Sequence, residues 1–425
     1  MRYGTIELAM SWCSPSYAAA TLSTSKSRWV NDHQNSRDSH MYGMEDEGIF
    51  EQLFKLLQSS GPVNWNLARE VTKSLAGPAQ PIDPAVAEEY RELAHVAEVR
   101  ISAVTALPSP ATGELNPTDR ATWAAENQQS FRILVEPLSE KLSALTDSDQ
   151  LPDMPDLGAM GSMSSMLAPL GPALLGVQAG TMVGFMAHRA LGQFDTGIPA
   201  MDHDRPYVIV PNLDDFAIDH GVDHRQVRLW GALHEVAFHR IMAVEWIRGR
   251  FVTLVQAFYD TVELDMSDLM GKLSAMNDPA EMQRMFGADE EGSGLLKASS
   301  DPGRLADIQA FTAFVEGYAD RVVRLAGAEL LPGIDRIEEA FNRRRTEPSK
   351  AEQFLQEFAG LKLERWRARD ATQFCDDVVD RWGEDALARV WEDPINMPSV
   401  EELSDAIGWN ARVLLDDSAF GDESP

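Results

Sequence analysis

The chain has 425 residues, enough for one large or two modest domains, and its hydrophobic content of 44% can fill a sizeable core. Acidic residues dominate the charge, because 67 Asp and Glu against 37 Lys and Arg give a formal net charge of -30. Such a field repels phosphate backbones and anionic lipid headgroups. The only basic run, Arg343–Arg345, is interpreted as a solvated helix end. The composition therefore excludes nucleic acid and membrane surfaces as expected partners.

Cysteine usage and the chain termini bear on the cellular location. Cys13 and Cys375 form neither a disulfide framework nor a metal-binding spacing, which predicts a reducing, cytoplasmic compartment. Residues 1–43 lack a basic segment followed by an apolar run, so we predict no signal peptide or anchor. They are interpreted as a disordered tail or as the product of a start site placed too early. Residues 416–425 are predicted to form an acidic tail.

Helical periodicity dominates the rest of the chain and predicts a mainly α fold with at most a small β element. An N-terminal helical subdomain is expected over 44–150, a Gly-, Met- and Pro-rich loop over 151–165, and a helical domain over 166–415. The uncharged stretch 166–187 reaches the length of a membrane span, but its Pro and Gly residues favour a buried helix pair. Tyr207–Val210 is the clearest predicted strand.

The first chemical motif is the sequence HEVAFH at residues 234–239, midway along a predicted buried helix. In the metal-binding pattern HExxH, histidines at i and i+4 lie about 40° apart and reach one cation. Here Phe238 occupies i+4, and His239 at i+5 lies about 140° round a regular helix. Three interpretations stay open: a π-bulge that realigns His239, weak metal binding, or a metal-free helix in which His234 and Glu235 form a hydrogen-bonded pair.

A second predicted helix carries polar residues along one side of an apolar pattern. Thr312, Glu316 and Asp320 recur at i, i+4 and i+8. Buried carboxylates are costly unless they meet a cation, a histidine or water. Two interpretations stay open: a polar site shared with the first helix, or surface pairing of Glu316 and Asp320 with Arg321 or Arg324.

With both helices in view, the chain resembles the bacterial zincin-like metallopeptidase type 2 family, whose members are often named hydrolases or zinc-dependent metalloproteases. The resemblance runs from about Gly61 to Val413. It rests on seven segments: Gly61–Trp65, Leu191–Asp195, Val210–Asn212, Leu229–Val236, Val315–Asp320, Gly360–Leu363 and Trp391–Pro398. The resemblance implies a helical zincin-like metallopeptidase fold.

The resemblance also implies site residues. His234 corresponds to the first metal ligand, Glu235 to the catalytic carboxylate and Glu316 to the ligand from the second helix, and His239 joins them if the helix bulges. The implied cofactor is zinc, and the implied activity is hydrolysis of a peptide or protein by metal-activated water, with Glu235 carrying the proton. Because Phe238 departs from the family pattern, the rival expectation is an inactive zincin-like scaffold that lost its metal and acts as a binding or regulatory protein.

Overall fold

The computed structural model describes residues 61–110, 114–146, 170–198, 206–264, 298–299, 301–350, 352–353, 356 and 360–414. All of them belong to one compact unit, Leu53–Pro425. The predicted tails 1–43 and 416–425 and the predicted loop 151–165 lie outside the described residues.

The described chain is mainly α-helical, as predicted. Its helices are α1 (Trp65–Ala76), α2 (Pro84–Ser102), α3 (Arg120–Asn127), α4 (Arg132–Thr146), α5 (Leu170–Arg189), α6 (Val210–His220), α7 (His224–Met242), α8 (Ile247–Thr261), α9 (Pro302–Gly327), α10 (Ile334–Thr346), α11 (Ala368–Trp382), α12 (Glu384–Ala388) and α13 (Ala406–Val413). Short 3₁₀ turns lie at Gln128–Phe131, Arg365–Arg367, Arg389–Trp391, Pro394–Asn396 and Glu402–Ser404.

The β structure of the described residues is small. β1 (Asn116–Thr118) pairs in parallel with β2 (Tyr207–Ile209), with Asn116 opposite Tyr207. β3 (Glu263–Leu264) pairs antiparallel with β4 (Ala298–Ser299). The predicted strand is confirmed, but it ends one residue early because Val210 already begins α6.

The uncharged stretch 166–187 does not form the predicted helix pair, because its described part is one continuous helix, α5. Pro172 lies in the first turn, where a missing N–H breaks no helical hydrogen bond. Gly176, Gly180 and Gly184 recur every four residues, and a Cβ added at any of them would come within 3.0 Å of α1 or of its N-cap residue. The glycines therefore allow two backbones to pack in contact. No helix among the described residues has both the length and the apolar character needed to cross a bilayer.

The two helices singled out in the sequence, α7 and α9, begin with side-chain caps. Asp223 accepts hydrogen bonds from the backbone N–H groups of Arg225 (3.0 Å) and Gln226 (3.1 Å). Asp301 accepts one from Gly303 at 2.8 Å. Both helices are buried over most of their length and pack against each other in the core.

Two further features position the site. A Cβ at Gly317 would overlap the Ala368 carbonyl, so α11 packs closely on α9 beside Glu316. We call residues 191–198 the overlying segment. β2 holds it in place, because Gln193 N–H donates to the Tyr207 carbonyl at 2.9 Å.

Candidate functional site

His234 and Glu235 form a buried pair in the middle of α7. His234 Nδ1 lies 3.2 Å from Glu235 Oε1, and each residue is only 2% exposed. Glu235 Oε2 accepts hydrogen bonds from the backbone N–H groups of Gln193 (2.9 Å) and Phe194 (3.3 Å) in the overlying segment. A side chain at Gly192 would overlap the Glu235 carboxyl. The carboxyl group is therefore enclosed by backbone.

Three aromatic rings lie next to the His234 imidazole. Its centroid lies 4.7 Å from that of Phe238, 5.2 Å from Trp230 and 5.4 Å from Phe341. Phe238 also stacks on Phe194, with centroids 5.6 Å apart and ring planes 8° apart. His234 Nε2 is buried and has no hydrogen-bond partner among the described residues.

His239 is buried on the same helix, but the structure does not align it with His234. The helix is α-helical throughout His224–Met242, so no π-bulge forms. Residues five apart in such a helix project about 140° from each other. Phe238, one turn after His234, faces the imidazole instead.

Glu316 lies across from this pair on α9, where it meets arginine. Its Oε1 accepts a hydrogen bond from Arg365 Nε at 2.8 Å, and its Oε2 is 3.6 Å from Arg345 Nε. A Cβ at Gly197 of the overlying segment would come within 3.3 Å of Oε1. Glu316 and Phe238 share the lining of a cavity of about 10 Å³, which has room for about one water molecule.

Asp195 connects the overlying segment to the same arginines. One carboxyl oxygen accepts from Arg365 Nη2 at 3.0 Å. The other accepts from Arg344 Nη1 at 2.7 Å and from the Leu191 N–H at 3.0 Å. Arg365 also lies 3.4 Å from Glu352. A buried charge cluster thus joins α9, α10, the overlying segment and the turn that carries Arg365.

The interpretation of Arg343–Arg345 as a solvated helix end is wrong for two of its three residues. Arg345 is only 5% exposed and bonds both carboxyl oxygens of Asp320, while Arg344 bonds Asp195. The apolar residues of α10 pack into the core, and Arg345 in the last turn lies on the same buried side of the helix. Arg343 alone fits the expectation, since its side chain is mostly exposed.

The surface-pairing alternative for α9 also differs from the structure. Glu316 and Asp320 pair with arginines from outside α9. Arg321 and Arg324 bond Asp376 of α11 instead, at 3.0 and 2.7 Å.

The ionisation of the site follows from its burial. Burial lowers the pKa of His234 to about 3, although Asp195 opposes the shift. Burial and Asp195 raise the pKa of Glu235 well above its ordinary value, only partly offset by the two backbone N–H groups. His234 is therefore neutral at pH 7, and burial favours the protonated form of Glu235. Burial also raises the pKa of Glu316, which Arg365 partly offsets.

Other side chains that could have assisted catalysis make different contacts. Tyr318 shares a 2.8 Å hydrogen bond with Thr105. His224 lies at the start of α7, 3.4 Å from Asp214, and His220 lies at the end of α6. Sequence reasoning missed the arginine cluster, because no local pattern marks Arg365 as buried.

The residues present do not fit a zinc site. Zinc in proteins takes three or four side-chain ligands, and its histidine ligands need a free ring nitrogen. His234 Nε2 meets that need, but Phe238 supplies no ligand and Glu316 is bonded to Arg365. Within the described residues, no three His, Cys, Asp or Glu side chains are grouped so that they could hold a metal ion.

Comparison with known proteins identifies the family. A family model described as zincin-like metallopeptidase matches residues 63–409, so the chain belongs to that family, as the sequence predicts. A crystal structure from Chloroflexus aurantiacus, described as "a putative hydrolase with a novel fold", matches with a TM-score of 0.56 and 24% identity over 82% of this chain and 98% of that chain. This likeness shows a shared fold. A search of curated proteins found no match.

Proposed function

We propose that this protein is a zincin-like scaffold that no longer uses metal-activated water and acts as a binding protein. The observation that carries the proposal is the 2.8 Å bond from Arg365 Nε to Glu316 Oε1. A guanidinium at this place neutralises the carboxylate that would otherwise attract a divalent cation. Phe238 supports the same conclusion, because its ring stands where a second imidazole would be needed.

Peptides or proteins remain the proposed class of partner, in a cytoplasmic setting. The family description as zincin-like metallopeptidases supports this class, because a scaffold that has lost the chemistry can retain the recognition. The net charge of -30 disfavours nucleic acid and anionic membranes as partners.

Zinc binding tests the proposal directly. We expect protein purified without chelator to carry substoichiometric zinc and to show no saturable heat on titration with zinc chloride. The double variant Phe238→His with Arg365→Met should gain stoichiometric zinc, because it supplies the second imidazole and frees Glu316. The matched control, Phe238→Leu with Arg365→Met, removes the same groups without adding a ligand and should gain none. Stoichiometric zinc in the unaltered protein that disappears in His234→Ala would overturn the proposal.

The second candidate function is a zinc-dependent hydrolase that uses His234, Glu235, Glu316 and His239. The buried, unpartnered Nε2 of His234 favours it, because such a nitrogen is open to a ligand. Its signature would be hydrolysis of an unfolded protein substrate that is lost in Glu235→Gln and on adding a chelator. We expect no such hydrolysis.

A further inference from the structure

A pocket of about 220 Å³ opens between α9, α10 and α11. Trp230, Val323 and Phe341 form its apolar lining. Trp230 and Phe341 also contact the imidazole of His234, but neither His234 nor Glu235 lines the pocket. His239 and Glu316 do not line it either.

Most of the charged groups that line the pocket are already paired. Asp320 is bonded by Arg345. Asp376 accepts hydrogen bonds from Arg321 at 3.0 Å and Arg324 at 2.7 Å. These groups have little remaining capacity for a charged ligand.

Two groups of opposite charge remain, one on α10 and one on α11. Glu338 of α10 makes no hydrogen bond or ion pair with the described residues, and its Oε1 is buried. Arg369 of α11 lines the pocket and likewise has no such partner among the described residues. An unpaired carboxyl group with a buried oxygen costs free energy that a bound cationic donor would recover.

We propose that this pocket binds a small zwitterion, an amino acid or a dipeptide, with its ammonium group on Glu338, its carboxylate on Arg369 and its apolar part against Trp230 and Phe341. The inference rests on the proposed binding function and gives it a ligand class. A polyanion would meet three carboxyl groups, and a simple cation would meet two arginines. A molecule that carries both charges can pair with both Glu338 and Arg369.

The ionisation of Glu338 agrees with this assignment. Burial raises its pKa to about 7, against the effect of Arg324 and with the support of Asp320 and Asp335. Arg345 also opposes the shift. A bound ammonium group would lower that pKa again, so binding should release protons near neutral pH.

Calorimetric titration of the full chain in the presence of EDTA tests the proposal. The probes are L-leucine and the dipeptide glycyl-leucine, compared with leucine methyl ester, which lacks the carboxylate, and N-acetyl-leucine, which lacks the ammonium group. We expect saturable binding of at least one zwitterion below about 10 mM and at least tenfold weaker binding of both analogues.

Variants assign each contact. Glu338→Gln keeps the shape and should weaken the zwitterion about tenfold or more, with little effect on N-acetyl-leucine. Arg369→Gln should weaken the zwitterion similarly, with little effect on the methyl ester. The control Glu339→Gln changes the neighbouring, exposed carboxyl group and should leave affinity unchanged.

No saturable binding of either zwitterion, or equal affinity in all three variants, would overturn the inference. EDTA removes free zinc throughout the titration, so a failure to bind the zwitterion would concern this pocket and not the metal question. The zinc measurements decide the proposed scaffold role separately, and circular dichroism establishes that each variant is folded.

Discussion

Arg365 lies at the centre of the buried charge cluster, where it bonds Glu316 and Asp195 from two different parts of the chain. Its neighbours hold the pKa of Asp195 well below its ordinary value, against the effect of burial. The cluster thus keeps Asp195 ionised in the core by placing guanidinium groups next to its carboxylate. Removing a single cation leaves uncompensated charge in a low-dielectric region.

Replacing Arg365 by Ala should therefore lower the free energy of unfolding by about 3 to 5 kcal/mol. Urea denaturation followed by circular dichroism measures the change. The control Arg367→Ala removes a partly exposed arginine that bonds Glu364 and stacks on the exposed Trp366 ring, and it should cost about 1 kcal/mol or less. An equal decrease in the free energy of unfolding in both variants would contradict the central role of Arg365.

Glu338 gives a pH-dependent prediction. Its folded-state pKa of about 7 lies above the unfolded value, so the folded state resists losing this proton. The wild-type protein therefore loses stability as pH rises from about 4.5 to 7, a loss that Glu338→Gln avoids because its amide does not ionise. We expect the free energy of unfolding of the variant to rise by about 1 to 2 kcal/mol relative to that of the wild type across that range, after allowance for solvent screening. Urea denaturation at several pH values measures this, and a pH-independent difference would refute it.

At the scale of elements, the contact between α1 and α5 depends on glycine. Gly176, Gly180 and Gly184 line the face of α5 that meets α1, and Thr72 of α1 donates a 3.1 Å hydrogen bond to the Gly180 carbonyl. The helices can approach this closely because no Cβ lies between them. The same residues lower the helix propensity of α5, which explains why the sequence pattern suggested a break.

Gly180→Ala should destabilise the protein by roughly 1 to 3 kcal/mol, because its Cβ would overlap the Ala68 carbonyl. Thermal denaturation provides the measurement. The control Gly171→Ala, in the first turn of α5, meets no atom within 4 Å and should change stability by less than about 1 kcal/mol. A neutral Gly180→Ala would mean that α1 is free to shift away.

At the scale of the whole molecule, charge is the dominant feature. The excess of acidic side chains gives a net charge of -30, and these side chains repel one another across the surface. Many carboxylates nevertheless pair locally with arginine. Salt screens such repulsion within about 10 Å at 0.1 M ionic strength.

The melting temperature should therefore rise by a few degrees when sodium chloride is increased from about 20 to about 200 mM. Differential scanning calorimetry at pH 7 measures the midpoint. The same rise with potassium chloride would identify screening as the cause, since it does not depend on the cation. A fall with salt would show that surface ion pairs outweigh the net repulsion.

Several features could be predicted from local sequence. The strand at Tyr207 and the helical periodicity depend on neighbouring residues, and both are confirmed. The family was recognisable because its segments are specific in combination. For Glu316 the apolar helix pattern left two interpretations open, a buried polar site or surface pairing, and the structure shows the buried one.

The sequence by itself determined the fold class, the family and the position of His234 and Glu235 midway along a buried helix, because helix periodicity and motif spacing are local properties. Only the tertiary structure decided what meets Glu316. Its partner, Arg365, lies 49 residues away and is brought to it by the packing of α9 against the chain around Arg365. Long-range charge pairing depends on which helices pack together, and no pattern within one helix carries that information.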